Sequence, residues 1–246
     1  MARWPYDIKQ YGQRILLVDK KMLIQPKQNH PMPHSLEGGA LLSSAYFAPI
    51  QWWQKVYRHK AIYIERCDHF VKQTYRNRCV IATTNGLQAL TVPVEKPANR
   101  RLDKTLMRDV RVSDHGDWRR IHWNALCSAY GESPFFEFYA DDLRPFFEQP
   151  WEYLFDFNMA ITHKLCDLLG IQPILRTTES YAPHPTNGEM TLTDYRENIR
   201  PKHPLPDPSF SPRHYYQVYG QRFGFQPNLS ILDLLFNMGN EAVLYL

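Results

Sequence analysis

The stretch Ala40–Glu65, ALLSSAYFAPIQWWQKVYRHKAIYIE, decides the fold class of this chain. It begins with an apolar run, Leu41–Tyr46, that suits a buried strand, and it ends with a second strand-like run, Ala61–Glu65. Between them Pro49 opens a helical segment, because proline fits the first turn of a helix, where its missing N–H is not needed. A strand, a crossover helix and a second strand form a βαβ unit, whose strands are nearly always parallel. The stretch therefore predicts an α/β fold.

A β-hairpin is predicted after this unit, within the segment Thr74–Lys96. Two alternating apolar runs flank Asn85 and Gly86, and both of these residues can adopt the positive φ of a type I′ turn. Pro93 marks the second strand of the hairpin as an edge strand or a strand end. Leu106–Ser113 alternates like one more strand.

Helical periodicity follows in three places. Asp114 is expected to cap a helix, and Asn228 is expected to cap the last one, in which apolar residues lie almost all round. The longest helix is predicted in Trp151–Gly170 and is expected to end at Gly170. Its predicted buried stripe comprises Leu154, Phe157, Ile161, Leu165, Leu168 and Leu169. A short strand is predicted next, in Pro173–Thr177. The predicted buried face of the first of these helices comprises Trp118, Ile121, His122, Ala125, Leu126 and Ala129.

The chain is predicted to hold one domain and one extension. Residues 1–38 are polar and proline-rich, so we expect a loosely ordered N-terminal extension. Residues 39–246 are expected to form a single α/β domain with a mixed sheet, a parallel βαβ opening, a β-hairpin and flanking helices. The strand–helix–strand opening also suggests a nucleotidyltransferase-like architecture. Within it, residues 182–214 contain seven prolines and little periodicity, which predicts a long loop.

Composition excludes several classes of protein. The net charge of +4 and the pI near 8.8 are compatible with an anionic small-molecule ligand but too small to favour nucleic acid. The sequence contains no apolar run long enough for a membrane span and begins without the apolar core of a signal peptide. Its four cysteines form no C-x-x-C pair, so we expect reduced thiols and a cytoplasmic protein.

The triplet Arg76-Asn77-Arg78 is the first candidate binding element. On a strand, Arg76 and Arg78 share a face, and two adjacent guanidinium groups repel each other unless an anion or a carboxylate lies between them. The sequence thus predicts a site for an anionic small molecule or a sugar phosphate. The alternative is a solvated strand end whose arginines pair with acidic residues elsewhere in the chain.

Two histidines form the second candidate, since His115, Trp118 and His122 are neighbours on one helical face. His122 lies within the apolar stripe and could act as a positioned acid or base. The alternative is a core histidine packed on a tryptophan. Two histidines without a carboxylate or a third ligand nearby do not predict a metal site, and no cofactor is indicated.

The third candidate is the end of the first strand. In open α/β sheets, ligands bind at the carboxyl ends of the strands, and Ser43, Ser44 and Tyr46 could donate hydrogen bonds there. The segment lacks the glycines of a phosphate-binding loop, so its position supports a site more than its residue types do.

Several blocks of the sequence resemble the WbqC-like protein family. The blocks are YRNRCVIAT, LQALTVPV, WRRIHWNALCSAY, LFDFNMAITHKLCDLLGI and FQPNLSILDLLFNMG, and the resemblance runs from about Ala40 to Gly239. Its members are often encoded among genes for O-antigen and other surface polysaccharides. Many of them carry a His-Gln-Pro-Asn-Tyr type of segment before the first helix. Here the corresponding residues are Ser43–Phe47, and the histidine is absent.

The resemblance implies a role in polysaccharide metabolism and leaves two hypotheses open. In the first, the protein is a transferase that passes an acyl or aminoacyl group to an amino sugar, with Arg76 and Arg78 on an anion and His122 as the base. Asn77 and Asn228 would then orient polar groups of the substrate. In the second, it is a non-enzymatic binding or scaffold protein that has lost the family's active-site histidine. Its partner surface would then use exposed aromatic residues such as Trp52, Trp53 and Trp151. A homodimer is left open.

Overall fold

The computed structural model describes residues 37–98, 101–181, 186–187 and 190–246. The described strands are β1 Glu37–Ser43, β2 His59–Glu65, β3 Arg78–Thr83, β4 Gly86–Thr91, β5 Ile174–Thr177, β6 Thr186–Asn187 and β7 Met190–Asp194. The described α-helices are α1 Ile50–Arg58, α2 Trp118–Tyr130, α3 Phe136–Leu143, α4 Pro145–Glu148, α5 Leu154–Leu169, α6 Gly220–Phe223 and α7 Ile231–Met238. Short 3₁₀ segments lie at 102–104, 107–109, 115–117 and 239–245.

The N-terminal extension predicted for residues 1–38 lies almost wholly outside the described residues. Glu37 and Gly38 are the exceptions, and they begin β1. No helix within the described ranges has the length and apolar character needed to cross a bilayer.

A mixed α/β fold is confirmed. The larger sheet has the order β5-β2-β1-β7-β6, in which β5, β2, β1 and β7 are parallel and β6 is antiparallel to β7. The predicted βαβ unit is β1, α1 and β2, and β1 pairs along its length with β2. Because β2 lies on one side of β1 and β7 on the other, the chain changes direction at β1, where ligands bind in open α/β sheets.

The β-hairpin is confirmed, but its predicted turn type is wrong. Strands β3 and β4 pair from Arg78 opposite Thr91 to Thr83 opposite Gly86, so the two-residue loop is Thr84-Asn85. Gly86 has φ +98°, whereas Asn85 is not among the described residues with positive φ. A type I′ turn needs positive φ at both central residues, and this turn places the glycine after the loop instead.

Two predictions of extended structure are wrong in opposite senses. The segment 106–113, predicted as a strand, contains a 3₁₀ turn at 107–109 and only isolated bridges, at Leu106, Arg111 and Val112. The proline-rich region 182–214, predicted as a loop, contains β7, which pairs with the central strand β1. Five residues of β7 amid prolines give too short an alternation to be recognised, and pairing with β1 stabilises the strand.

The helices largely bury the predicted faces. In α5, all six residues of the predicted stripe are buried: Leu154, Phe157, Ile161, Leu165, Leu168 and Leu169. Gly170 ends this helix with φ +67°, as predicted. In α2, Trp118, His122, Leu126 and Ala129 are buried, but Ile121 is 52% exposed, so its assignment to the buried face is wrong. Trp52 and Trp53 are buried in the core, which removes them from any partner surface.

Both predicted helix caps are wrong. Helix α2 begins at Trp118 rather than directly after Asp114, whose carboxylate accepts a hydrogen bond from Arg119 at 2.6 Å. In α7 the cap is Ser230, whose hydroxyl accepts from the backbone N–H of Leu232 at 3.4 Å. Asn228 caps a different helix, as described below.

Candidate functional site

A small cavity lies at the carboxyl end of β1. Its volume of about 10 Å³ is room for a single water molecule. Its polar lining residues are Ser43, Ser44, Thr74, Arg76, Tyr195 and Arg196, and apolar side chains of the core complete the wall.

Parallel pairing brings charged residues to the same edge of the sheet. Ser43 ends β1, Glu65 ends β2 and Asp194 ends β7. Ser43 is aligned with Glu65, and Leu41 is aligned with Asp194. The carboxyl ends of three neighbouring parallel strands therefore deliver one hydroxyl and two carboxylates to the region of the cavity.

A buried ion pair joins Arg76 to Asp68 beside the cavity. Arg76 is 6% exposed and Asp68 is 8% exposed, and Nη2 of the arginine donates to Oδ2 of the carboxylate. Nη1 is 3.5 Å from the hydroxyl of Thr74. Burial raises the pKa of Asp68, while the guanidinium of Arg76 acts against this shift.

The ion pair keeps two atoms without a partner. Within the ranges that the structure describes, Nε of Arg76 and Oδ1 of Asp68 are buried and make no hydrogen bond. Oγ of Ser43 and Oδ1 of Asn158 are in the same condition, as are five buried side-chain atoms elsewhere in the described residues. Buried polar atoms are paired in the great majority of cases, and four of the nine exceptions lie in this one region.

A second ion-pair group adjoins the first. Arg196 donates from Nη1 to Oε2 of the fully buried Glu65 at 3.1 Å and from Nη2 to Oδ2 of Asp194 at 2.7 Å. The other oxygen of Glu65 accepts from the backbone N–H of Cys67 at 2.7 Å and from the hydroxyl of Thr178 at 2.6 Å. The charges of Glu65 and Arg196 also influence the pKa of Asp68, which connects the two groups electrostatically.

The long helix fixes the position of Arg76. Asn158 of α5 is fully buried, and its Nδ2 donates to the carbonyl of Arg76 at 2.7 Å. The same amide nitrogen is 3.5 Å from Oγ of Ser44. Helix α5 thus connects the backbone of Arg76 to the end of β1.

The prediction that Arg76 and Arg78 form an adjacent pair of unpartnered guanidinium groups is wrong. Arg76 is neutralised by Asp68, and Arg78 donates from Nε to the hydroxyl of Thr91 on the opposite strand at 3.1 Å. Arg78 does not line the cavity, whereas Arg196 does. The two arginines that share a cavity are therefore Arg76 and Arg196, and each of them already has carboxylate partners.

His122 is a buried and internally bonded histidine. Its Nδ1 forms a 2.9 Å hydrogen bond with the hydroxyl of Tyr46. The ring of Trp118 packs edge-on against it at 5.2 Å. Burial lowers the pKa of His122 to about 4, so the imidazole is neutral near pH 7. None of His122, Tyr46 and Trp118 lines the cavity.

The remaining predicted site residues lie apart from the cavity or support the fold. His115 is exposed in a 3₁₀ turn. Asn77 is buried, and its Nδ2 donates to the carbonyl of Val92 at 2.8 Å, which joins the base of the hairpin. Asn228 accepts at Oδ1 from the backbone N–H of Gln51 at 2.9 Å and so caps α1.

Sequence reasoning missed Glu65, Asp68 and Arg196. Glu65 had a usable signal, since a charged residue at the end of a buried strand is where α/β sheets place binding groups. Asp68 follows closely and could have been found in the same way. Arg196 had no signal of this kind, because β7 before it was not predicted. No cluster of three or more metal-ligating side chains occurs in the part of the chain that is described.

The family model for the WbqC-like protein family matches residues 44–203. The chain belongs to the WbqC-like protein family. The matched range includes the cavity residues Ser44, Thr74, Arg76, Tyr195 and Arg196 and ends before α7. The chain is also 31% identical over 201 residues to the Mycobacterium tuberculosis protein named Uncharacterized protein Rv1507c, covering 72% of this chain and 83% of that protein. No solved structure matches the chain, so the nucleotidyltransferase-like architecture stays a prediction.

Proposed function

We propose that the protein is a cytoplasmic transferase of surface-polysaccharide precursor metabolism. It passes an acyl or aminoacyl group to an amino sugar, which binds at the carboxyl end of β1, where the small cavity opens. The single observation that carries this proposal is the buried Asp68–Arg76 pair near the carboxyl ends of the parallel strands. Nε of Arg76 and Oδ1 of Asp68 make no hydrogen bond within the described residues. Family membership supplies the polysaccharide context.

Physical arguments support a binding role for this region. Burying an ion pair costs several kcal/mol in desolvation, and that cost is recovered only if the remaining polar atoms are also bonded. Asp68 and Arg76 do not meet this condition within the described residues. Residues that satisfy a ligand rather than each other are typical of binding sites, where stability is lower than it could be.

In this proposal the roles of the two predicted histidines change. His122 positions Tyr46, because its Nδ1 is bonded to the hydroxyl of Tyr46 and its low pKa keeps the ring neutral. His115 has no role in the proposed site. The ligand instead contacts Ser43, Arg76 and the carboxylate of Asp68.

The alternative of a non-enzymatic scaffold loses part of its support. It used exposed aromatic residues as the partner surface, and both Trp52 and Trp53 are buried. Trp151 is half-buried and packs on Phe157, with 5.2 Å between the two ring centroids.

The test is a transfer assay with acetyl-coenzyme A as donor and glucosamine or its nucleoside-diphosphate derivatives as acceptors. Release of free thiol is followed with a chromogenic disulfide. We expect turnover by the unaltered protein and a loss of about 100-fold or more in Arg76→Lys, since small displacements in a site can cost that much. The control is Arg101→Lys, which alters an exposed ion pair with Asp103 and should keep full activity.

Two results would contradict the proposal. One is the absence of thiol release with every acceptor together with an unchanged Tm in the presence of each of them, because ligand binding to the native state must raise Tm. The other is turnover that is equal in Arg76→Lys and in the unaltered protein.

A further inference from the structure

A second pocket lies between the tip of the hairpin and the segment 217–226. Its volume is about 260 Å³. A cavity of about 150 Å³ holds one benzene molecule, and pockets for drug-sized ligands begin at about 300 Å³. The pocket therefore has room for one ring system. The hairpin contributes Ala82, Gly86 and Leu87 to its lining, and none of the lining residues lines the cavity at the carboxyl end of β1.

Two aromatic side chains form the opposite wall of this pocket. Tyr219 and Phe223 are four residues apart, and the backbone N–H of Phe223 donates to the carbonyl of Tyr219 at 3.0 Å, so both rings lie on one face of α6. The hydroxyl of Tyr219 donates to the carbonyl of Ala129 at 2.9 Å, which fixes that ring. Phe223 is 37% exposed and Leu87, across the pocket, is 58% exposed. Exposed apolar side chains gathered round a pocket are typical of a ligand site.

The side-chain amide of Gln226 is the polar group of the pocket. Its Nε2 donates one hydrogen to the carbonyl of Phe223 at 3.1 Å and carries a second hydrogen. Its Oε1 makes no hydrogen bond within the described residues and is not one of their buried unbonded atoms, so a ligand can reach it. Gln226 thus offers one donor and one acceptor to a molecule in the pocket.

Gln217 holds Gln226 in position. Gln217 is 6% exposed, its Oε1 accepts from the backbone N–H of Gln226 at 2.9 Å, and its Nε2 donates to the carbonyl of Gln226 at 3.0 Å. The same Nε2 is 3.1 Å from Oδ2 of the buried Asp233. The backbone of Gln226 is therefore fixed from the core, and such pre-organisation reduces the entropy that is lost when a ligand binds.

The walls of the pocket carry no charge. No acidic or basic side chain of the described residues lines it, and burial raises the pKa of Tyr219, so this hydroxyl is neutral near pH 7. The guanidinium of Arg222 lies 5.0 Å from the ring centroid of Phe223 and outside the lining. A charged group would lose hydration in the pocket without gaining an ionic partner, so the walls favour a neutral ligand.

We propose that this pocket binds the uncharged planar base of a small-molecule nucleoside, with adenine as the best-matched base. The base stacks on the wall of Tyr219 and Phe223, since every base has a π-face. N7 of adenine accepts from Nε2 of Gln226 and its N6 amino group donates to Oε1, as occurs when glutamine binds adenine in DNA. The ribose extends into solvent. This inference goes beyond the proposed function and does not rest on it.

Other neutral ligands match the pocket less well. A sugar ring would place several hydroxyls against walls that are mainly carbon, where they would lose hydrogen bonds to water. An aliphatic acyl chain would use neither the donor nor the acceptor of Gln226. A planar base combines the apolar faces and the polar edge that the two sides of the pocket require.

The experiment is calorimetric titration of the full chain with adenosine and with two analogues. Purine riboside lacks the N6 amino group, and 7-deazaadenosine lacks the N7 acceptor. We expect adenosine to bind, and each analogue to bind about threefold or more weakly, because each loses one hydrogen bond. Adenosine affinity should change little between low and high salt, since the base is uncharged.

Two variants localise the binding. Gln226→Leu keeps the size of the side chain, removes its donor and acceptor, and should weaken adenosine binding about fivefold or more. It should also abolish the differences among the three nucleosides. Phe223→Ala removes a stacking ring and should weaken binding about fivefold or more. The matched controls are Gln88→Leu, on the exposed face of β4, and Phe138→Ala, at an exposed position of α3, and both should keep full affinity.

The outcomes separate this inference from the proposed function. Adenosine binding that Gln226→Leu and Phe223→Ala weaken, and the controls do not, supports the nucleoside site whether or not acyl transfer occurs. Acyl transfer without adenosine binding at millimolar concentration supports the transferase and overturns this inference. Binding that both variants leave unchanged, or equal affinity for all three nucleosides, also overturns it. So does oligoadenylate that binds far more tightly than adenosine and with strong salt dependence, because phosphate contacts would then dominate.

Discussion

Two buried carboxylates in this protein have opposite surroundings. Asp233 is 1% exposed, and every hydrogen bond that its carboxylate needs comes from neighbouring side chains. Oδ1 accepts from the hydroxyl of Tyr130 at 2.9 Å, while Oδ2 accepts from the hydroxyl of Tyr215 at 2.6 Å and from Nε2 of Gln217 at 3.1 Å. Burial raises the pKa of Asp233, and these hydrogen bonds act against the shift.

Asp68 is buried almost as deeply but is only partly bonded. It has the charged partner that Asp233 lacks, yet one of its oxygens and the Nε of its partner Arg76 are unbonded within the described residues. Asp233 therefore belongs to a completed core network. Under the proposed function, Asp68 belongs to a site whose hydrogen bonds a ligand would complete, and the difference between the two carboxylates lies in their bonding rather than in burial.

The largest expected effect is a loss of stability when the carboxylate that neutralises the guanidinium of Arg76 is removed. Asp68→Asn leaves the guanidinium of Arg76 buried without a carboxylate, which should lower the free energy of unfolding by about 3 to 5 kcal/mol. Urea denaturation measures it. The double variant Asp68→Asn, Arg76→Gln should recover most of the loss, and an equally unstable double variant would show that the pair is not the cause.

The next effect tests whether His122 belongs with the completed networks. The pKa of His122 falls from 6.5 in the unfolded chain to about 4 in the fold. The neutral imidazole therefore contributes fully to the free energy of unfolding above pH 6.5, and this contribution is lost as the pH falls toward 4. It amounts to about 3 kcal/mol. Stability measured between pH 4 and pH 7.5 should decline less steeply in His122→Gln. Parallel curves for the two proteins would contradict the assignment.

Asp233→Asn should have a smaller effect than Asp68→Asn, because no buried cation loses its partner. An amide places N–H donors opposite donors of Tyr215 or Gln217, which should cost about 1 to 3 kcal/mol. Thermal unfolding of both variants in one buffer gives the comparison. If Asp233→Asn is the more damaging of the two, the contrast between the networks fails.

The smallest effect concerns Asn228, which caps α1 from a distant segment. Asn228→Ala removes the acceptor for the backbone N–H of Gln51 and should cost about 1 kcal/mol. Hydrogen exchange at Gln51 should become faster, whereas Asn228→Asp should retain the protection. Unchanged exchange in Asn228→Ala would show that the cap contributes nothing.

Local patterns were sufficient for much of the fold. The βαβ unit, the hairpin and the buried stripe of α5 depend on periodicity and on turn residues within short segments. The strand β7 could not be predicted in this way. Its backbone hydrogen bonds are made to β1, about 150 residues earlier in the chain, so nothing within its own segment indicates a strand.

The candidate site was predicted in part. The position at the end of β1, with Ser43, Ser44 and Arg76, follows from the rule for parallel sheets, and these residues line one cavity. The partners of Arg76 could not be inferred, because any acidic residue of the chain could have approached it. The partner of the Asn228 side chain could not be inferred either, since this side chain caps α1 rather than the helix that follows Asn228 in the chain.

The sequence by itself determined the α/β class, the family and the strand end at which the site lies, because these depend on residue order and on short-range periodicity. Only the tertiary structure decided which charges neutralise each other and which polar atoms stay unbonded. Hydrogen bonds and ion pairs depend on distances of a few Å between residues that are far apart in the chain, and burial makes each unbonded atom costly. For this reason the unpartnered pair Arg76 and Arg78 predicted from the sequence is replaced in the structure by the ion pair of Arg76 with Asp68.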